Sequence, residues 1–462
     1  MTIQLGRILA ALAIMTILSA TAFAQEITTG LAATGFAATG EEVPAGVQWA
    51  TDLSLGHTDN VRRTNLNQQG EDLAQADVEY YFLKKTRRVD AAVAADLGYV
   101  DYLSNSYSNS VIGSLSGNAA ANLVEDRLRW TVQDNFGQAH RDLLLSYTPQ
   151  NRENINYVST GPDLLLPLAN NTDLDLNARY SRVDYQISPL SSNRDLAALA
   201  LIRHIAGASS LSLNATAQRV DYQSPLTRGA DFDRSAIYAA YTGGGSKTDI
   251  SISAGVNEIS NSVANASGPL LQLVLTRRVS AYSRMTFGLG QLFTDSGTAF
   301  GTASVFTNVT LDTQALGTSA SPYKLSTANL GWEAIGSRTR LGASASWNRE
   351  TYLQQATSDR DLASAEVHLA RQLSSRLDMR LTASDTDTKF KLVTGNSQDS
   401  RASAALNWQA GQRLHLGVLL DHYHRNSQLA GVSYTENRIW LSLRYGDAFV
   451  RGVGAFGVSA IN

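Results

Sequence analysis

Few residues in this chain could carry chemistry. It has seven histidines and no cysteine, which excludes thiolate metal sites, cysteine nucleophiles and disulfides. The one dense histidine group is Asp421-His422-Tyr423-His424, whose residue types suit an acid–base dyad or a pair of metal ligands. In an extended strand, however, Asp421 and His422 point to opposite faces. His422 and His424 share the side of Leu416, Val418 and Leu420, and no third ligand is evident. Asp385-Thr386-Asp387 and Asp231-Phe232-Asp233 have the spacing of partial calcium loops but lack the remaining ligands and the glycine. There is no glycine-rich phosphate cradle and no nucleophile elbow. We therefore expect no catalytic residue, no metal and no cofactor.

A repeat is more informative. Arg182-Val183-Asp184-Tyr185-Gln186 recurs as Arg219-Val220-Asp221-Tyr222-Gln223, and Val100-Asp101-Tyr102 is a shorter copy. Tyr102, Tyr185 and Tyr222, with Tyr352 and Tyr423, each fall near the end of an alternating segment, on its polar side. Aromatic faces stack on the C–H faces of sugars, and the phenol bonds hydroxyls. A ring of ligand-binding tyrosines is one expectation. Tyrosines that pack loops, in a residue type favoured in strands, are the other.

The elements that must hold these residues are strands. From Val47 to Tyr445 apolar and polar residues alternate, as in Leu174, Leu176, Ala178 and Tyr180 against Asp175, Asn177 and Arg179. That period gives a strand with one apolar and one polar face. Nine short connections, from Lys85-Thr86 to Ala410-Gln412, interleave with ten long polar ones, among them 56–72, 138–152, 257–267 and 295–321. The count predicts an all-β, antiparallel up-and-down transmembrane barrel of about 20 strands (18 to 22). Lipid would force its closure and turn the apolar face outward. Trp49, Trp130, Trp347 and Trp408 fall on that outer face, as interfacial girdles do. Asp90, Asp96, Arg129, Asp175, Arg179, Asp378, Arg380, Arg401 and Arg444 fall on the lumen face. Their mixed signs predict internal pairing rather than a strong ion selector. Ser212, Asn214, Thr216 and Gln218 add a neutral polar stripe.

Composition agrees. Over 462 residues only 17% are charged, with a net charge of −3, which leaves no excess of cations for a nucleic-acid partner. The apolar run Ile8–Leu18 followed by Ala22-Phe23-Ala24 predicts a signal peptide over 1–24, cleaved after Ala24. Residues 25–46, rich in Ala, Thr and Gly, read as a flexible periplasmic segment. The barrel is expected over 47–446 and a tail over 447–462.

Gly56-His57-Thr58-Asp59-Asn60-Val61 resembles the opening of the β-barrel porin 2 family, shared with outer-membrane proteins of exopolysaccharide and exosortase (PEP-CTERM) gene clusters. Glu153–Leu164, with Thr160-Gly161-Pro162 inside it, is similar to a second block of that group. The resemblance implies an outer-membrane barrel tied to polysaccharide production or export, with outer-membrane lipid, a polysaccharide or small hydrophilic solute, and periplasmic export components as partners. It assigns no catalytic residue. Such barrels finish on a terminal aromatic, whereas here Tyr445 is followed by 17 further residues. Asp59, Asn60, Arg62 and Arg63 are expected to shape the mouth. A general diffusion porin, with 295–321 folded inward as a constriction, is the alternative function. A barrel hydrolase using His422 is a third.

Overall fold

Each half of the alternation needs its own solvent, and a closed cylinder supplies both. The computed structural model describes residues 46–206, 208–263, 265–302 and 317–447. The expected signal peptide, nearly all of 25–46, the centre of 295–321 and the tail beyond Asp447 lie outside them. Among the described residues twenty strands form. The first five are β1 (Gly46–Thr58), β2 (Glu71–Lys85), β3 (Val89–Tyr102), β4 (Ser110–Val124) and β5 (Leu128–His140). Then come β6 (Arg152–Ala169), β7 (Thr172–Tyr185), β8 (Ser192–Ala206), β9 (Ser209–Tyr222) and β10 (Phe232–Gly244). The third group is β11 (Thr248–Asn261), β12 (Asn265–Ser280), β13 (Ser283–Thr294), β14 (Tyr323–Ile335) and β15 (Thr339–Tyr352). The last are β16 (Arg360–Gln372), β17 (Leu377–Phe390), β18 (Ser397–Gln409), β19 (Leu414–Ser427) and β20 (Tyr434–Gly446).

Every strand pairs antiparallel with its neighbours in sequence, and β1 pairs with β20 from Ala50↔Gly446 to Thr58↔Arg438. This seam removes the last sheet edge. Left open in lipid, each unpaired backbone group along it would cost several kcal/mol. Outside, Leu53, Leu55, Leu211, Leu213, Ile237, Leu420 and Leu441 are exposed as an apolar belt, and the four girdle tryptophans lie with them. A surface this apolar suits a membrane and not water. The chain is a closed transmembrane β-barrel of the outer-membrane type.

The tight turns fall where the sequence places them, but one long loop does not. Residues 257–261 continue β11 and 265–267 open β12, so the expected loop 257–267 shrinks to 262–264. Asn257 misleads because it lines the lumen, buried there beside Ile259.

Candidate functional site

After β13 the chain turns into the barrel. Asp295 precedes a short helix, α1 (Ser296–Thr302), most of which is buried. Asp295 starts that helix, since its carboxylate accepts the amides of Gly297 at 3.1 Å and Thr298 at 3.3 Å. The same carboxylate is gripped in a fork by Arg194 of β8, at 3.0 and 2.6 Å. Burial alone would raise the Asp295 pKa. The charge and hydrogen bonds of Arg194, with Arg234 and Thr298, outweigh that and hold it at about 2. At the far end of α1, the Gly301 carbonyl accepts Gln133 Nε2 at 2.8 Å and Asn135 Nδ2 at 2.7 Å, both from β5. The space there is tight, because a Cβ on Gly301 would lie 2.5 Å from the Tyr157 ring. A segment rooted between β13 and β14 is therefore fastened to β5, β6 and β8.

A second set of loops meets at the same end of the barrel. Arg63 lies between β1 and β2 with a left-handed φ of 52°, a conformation that costs about 1 kcal/mol or more in a non-glycine residue. Contacts hold it there. Arg63 donates to Glu436 of β20 at 2.8 Å and to the Tyr147 carbonyl at 2.7 Å. Tyr147 belongs to 141–151, the connection between β5 and β6, which also takes Arg425 on its Leu143 and Leu144 carbonyls. Ser146 donates to the carbonyls of Arg63 and Val432. The loop thus reaches over the strands between β5 and β19 and lies across the mouth. Arg62, by contrast, is exposed.

The five tyrosines face inward, with side chains covered rather than lining an open ring. Tyr185 and Tyr222 pack in one cluster with Phe232, Phe293, Ala299 and Phe300. Tyr102 packs with Val61, Leu73, Ile112 and Trp440. Tyr352 lies 4.8 Å from Tyr323 and donates to Glu350 at 2.9 Å. Tyr423 is enclosed by Arg63, Arg401 and Arg438, whose guanidinium carbons are 4.8, 5.0 and 5.1 Å from its ring centre. Sugar stacking on any of them requires these loops to move.

The repeat has a structural explanation. Its Arg and Asp pair with each other along the outer face, Arg182 with Asp184 at 2.7 Å and Arg219 with Asp221 at 3.0 Å, while Val183, Val220 and the tyrosines point inward. The tyrosine amide is then clamped by the residue just before the returning strand. Asn109 accepts from Tyr102, Ser191 from Tyr185, Asp231 from Tyr222 and Asp359 from Tyr352. Asn396 and Ser433 do the same for Phe390 and Ser427. Short Asx and Ser side chains satisfy an amide the ladder leaves over.

The charges expected on the lumen face point into it, and several have partners the alternation did not single out. Arg129 and Arg179 share Asp163, Arg401 pairs with Asp421 at 2.9 Å, and Arg444 with Glu79 at 2.6 Å. Asp175 accepts from Asn177 at 3.1 Å and Asp90 from the Thr86 amide at 3.1 Å. Asp96 and Asp378 are half-buried, as is Arg380. Asn214 donates to Ser212 at 2.9 Å, and Gln218 accepts from Arg234.

The motif residues build structure. Thr58 donates to Glu436 at 2.6 Å, Asp59 accepts from Asn437, and Asn60 bonds the Thr64 and Thr435 carbonyls. Together they bind the first loop to β20 next to the closing seam. Thr160 accepts Trp130 Nε1 at 2.9 Å on the outer face. Gly161, followed by Pro162, lets β6 and β7 approach closely: a Cβ there would sit 1.9 Å from the Ala178 carbonyl oxygen.

The histidine group separates as alternation requires. Asp421 is turned inward to Arg401 and Ser403, while His422 and His424 are outside on Asn437 and Thr435. Asp385 bonds Gln398 and Ser400, and Asp387 pairs with Lys389. Asp231 serves the clamp, and Asp233 is exposed. Sequence reasoning missed Arg194, Asp295, Arg152 and Glu436. Parity places Arg194 and Glu436 inside, but not Asp295, which no strand carries, or Arg152, which is out of phase with Ile155 and Asp163. Asp295 lies 101 residues from Arg194, and Glu436 lies 373 from Arg63.

No protein-family model and no curated protein matches the chain. Among solved structures, the FrpB iron transporter from Neisseria meningitidis is similar at 8% identity, over 87% of this chain and 83% of its own, with a TM-score of 0.48. The siderophore receptor PirA from Pseudomonas aeruginosa is similar at 11% identity, over 88% and 81%, with a TM-score of 0.45.

Proposed function

We propose that this chain is a passive outer-membrane conduit for hydrophilic solutes, narrowed at its long-loop end by α1. The carrying observation is the anchorage of α1 across a polar lumen through Arg194–Asp295 and Gly301–Asn135. Several lumen charges are paired, as Arg401–Asp421 and Arg444–Glu79 are, which suits an uncharged or mildly charged solute. The cargo we assign is a glycan of the extracellular polysaccharide class. The Gly56–Val61 and Glu153–Leu164 blocks support that assignment, and the mechanism is diffusion or threading once the mouth loops part.

An in-frame deletion complemented in trans tests the cargo, with exopolysaccharide measured separately in medium and cells. Loss from the medium with periplasmic accumulation supports export. Unchanged secretion removes the polysaccharide and leaves the second reading, a diffusion porin, which the inward-folded α1 favours and which planar-bilayer conductance with neutral sugars would show directly.

A further inference from the structure

Between the mouth loops and the barrel wall lies a small cavity of about 20 Å³, lined by Thr58, Arg63, Tyr102, Tyr147, Arg152 and Arg438 among others. That is room for one small ion or one water. Three arginines line it, and one carboxylate, Glu436, serves two of them: Arg63 at 2.8 Å and Arg438 at 2.7 Å. Arg63 is 4% exposed, and its Nη2 has no hydrogen-bond partner among the described residues. Arg152 is 8% exposed; it donates to Ser110 Oγ at 3.2 Å and makes no ion pair among the described residues. The other acids nearby are committed elsewhere. Glu71 accepts the amides of Ser104 and Ser106, and Glu153 those of Ile187 and Ser188. Buried charges persist when paired, and a buried donor without an acceptor is destabilising.

We infer that this cavity is a binding site for one small inorganic anion of chloride size, held by Arg63 and Arg152. The anion joins the β1–β2 loop, which carries Arg63, to the foot of the 141–151 loop, which Arg152 ends. It thereby fastens the cover over the mouth. A water would satisfy Arg63 Nη2 but leave the excess positive charge, and about 20 Å³ suits a monatomic anion better than a larger carboxylate.

Crystals of the full chain grown in bromide give the direct test by anomalous diffraction. The expected result is an anomalous peak in the cavity next to Arg63 Nη2 and Arg152, absent in Arg152→Gln. Ordered water with no anomalous signal would overturn the proposal, as would a peak of full height in the variant. Thermal melts in detergent are a second readout, with chloride and gluconate compared at equal ionic strength. The wild type should show a saturable rise in melting temperature with chloride, and Arg152→Gln none. Identical melts of the wild type in both salts would reject the site.

Discussion

Arg194 and Asp295 stand 101 residues apart and meet inside the barrel in a two-pronged ion pair, with side chains only 2% and 1% exposed. Asp295 also starts α1, so one carboxylate both begins the inward helix and binds it to the wall. Replacing it by Asn removes the charge and leaves Arg194 buried without it, a change worth about 3 kcal/mol or more in such pairs. Asp295→Asn should raise single-channel conductance in planar bilayers and lower the melting temperature. Unaltered conductance would mean that α1 does not limit the passage.

The same pair sets a pH response. Asp295 is held at about 2 when folded, below the roughly 3.9 of a free aspartate. Acid therefore protonates the unfolded chain first. The stabilisation is complete above about pH 4 and is lost as the pH falls toward 2, a change of about 2–3 kcal/mol. Melting temperature between pH 5 and pH 2 should drop more steeply for the wild type than for Asp295→Asn. Parallel curves would contradict the coupling.

Tyr185 and Tyr222 discriminate between stacking and packing. Both lie against Phe293, Ala299 and Phe300, so truncation to Ala should loosen α1, at a cost of about 3 kcal/mol or more for each ring. We expect Tyr185→Ala with Tyr222→Ala to raise salt conductance. The Tyr→Phe pair should stay close to wild type, losing chiefly the 3.0 Å bond from Tyr222 to the Ala320 carbonyl, about 1 kcal/mol. Weakened glycan binding with unchanged conductance in the Ala pair would instead favour sugar stacking.

Gly161 is tested through assembly. With the Ala178 oxygen 1.9 Å from where its Cβ would be, Gly161→Val must push β7 away from β6. The fraction of heat-modifiable, folded barrel on an unheated gel should fall sharply. A wild-type fraction would show that the two strands can separate without loss.

The local pattern was enough for the wall. Alternation depends only on the chemistry of successive residues, so Asp421 and His422 could be placed on opposite faces, and Tyr102, Tyr185 and Tyr222 on the inner one, before any contact was known. Short turns and long connections likewise counted twenty strands. The parity rule failed where polar residues continue a strand, at 257–261, because a lumen-facing Asn257 looks like a loop residue.

What covers the lumen was decided only in three dimensions. Periodicity puts Arg194 inside but says nothing of Asp295, and it leaves Arg63 on a loop without showing that Glu436 and Tyr147 come to meet it. Contacts across the mouth join segments that neither ladder nor turn relates. They form because a charge removed from water must find its partner wherever the closed barrel brings one within reach.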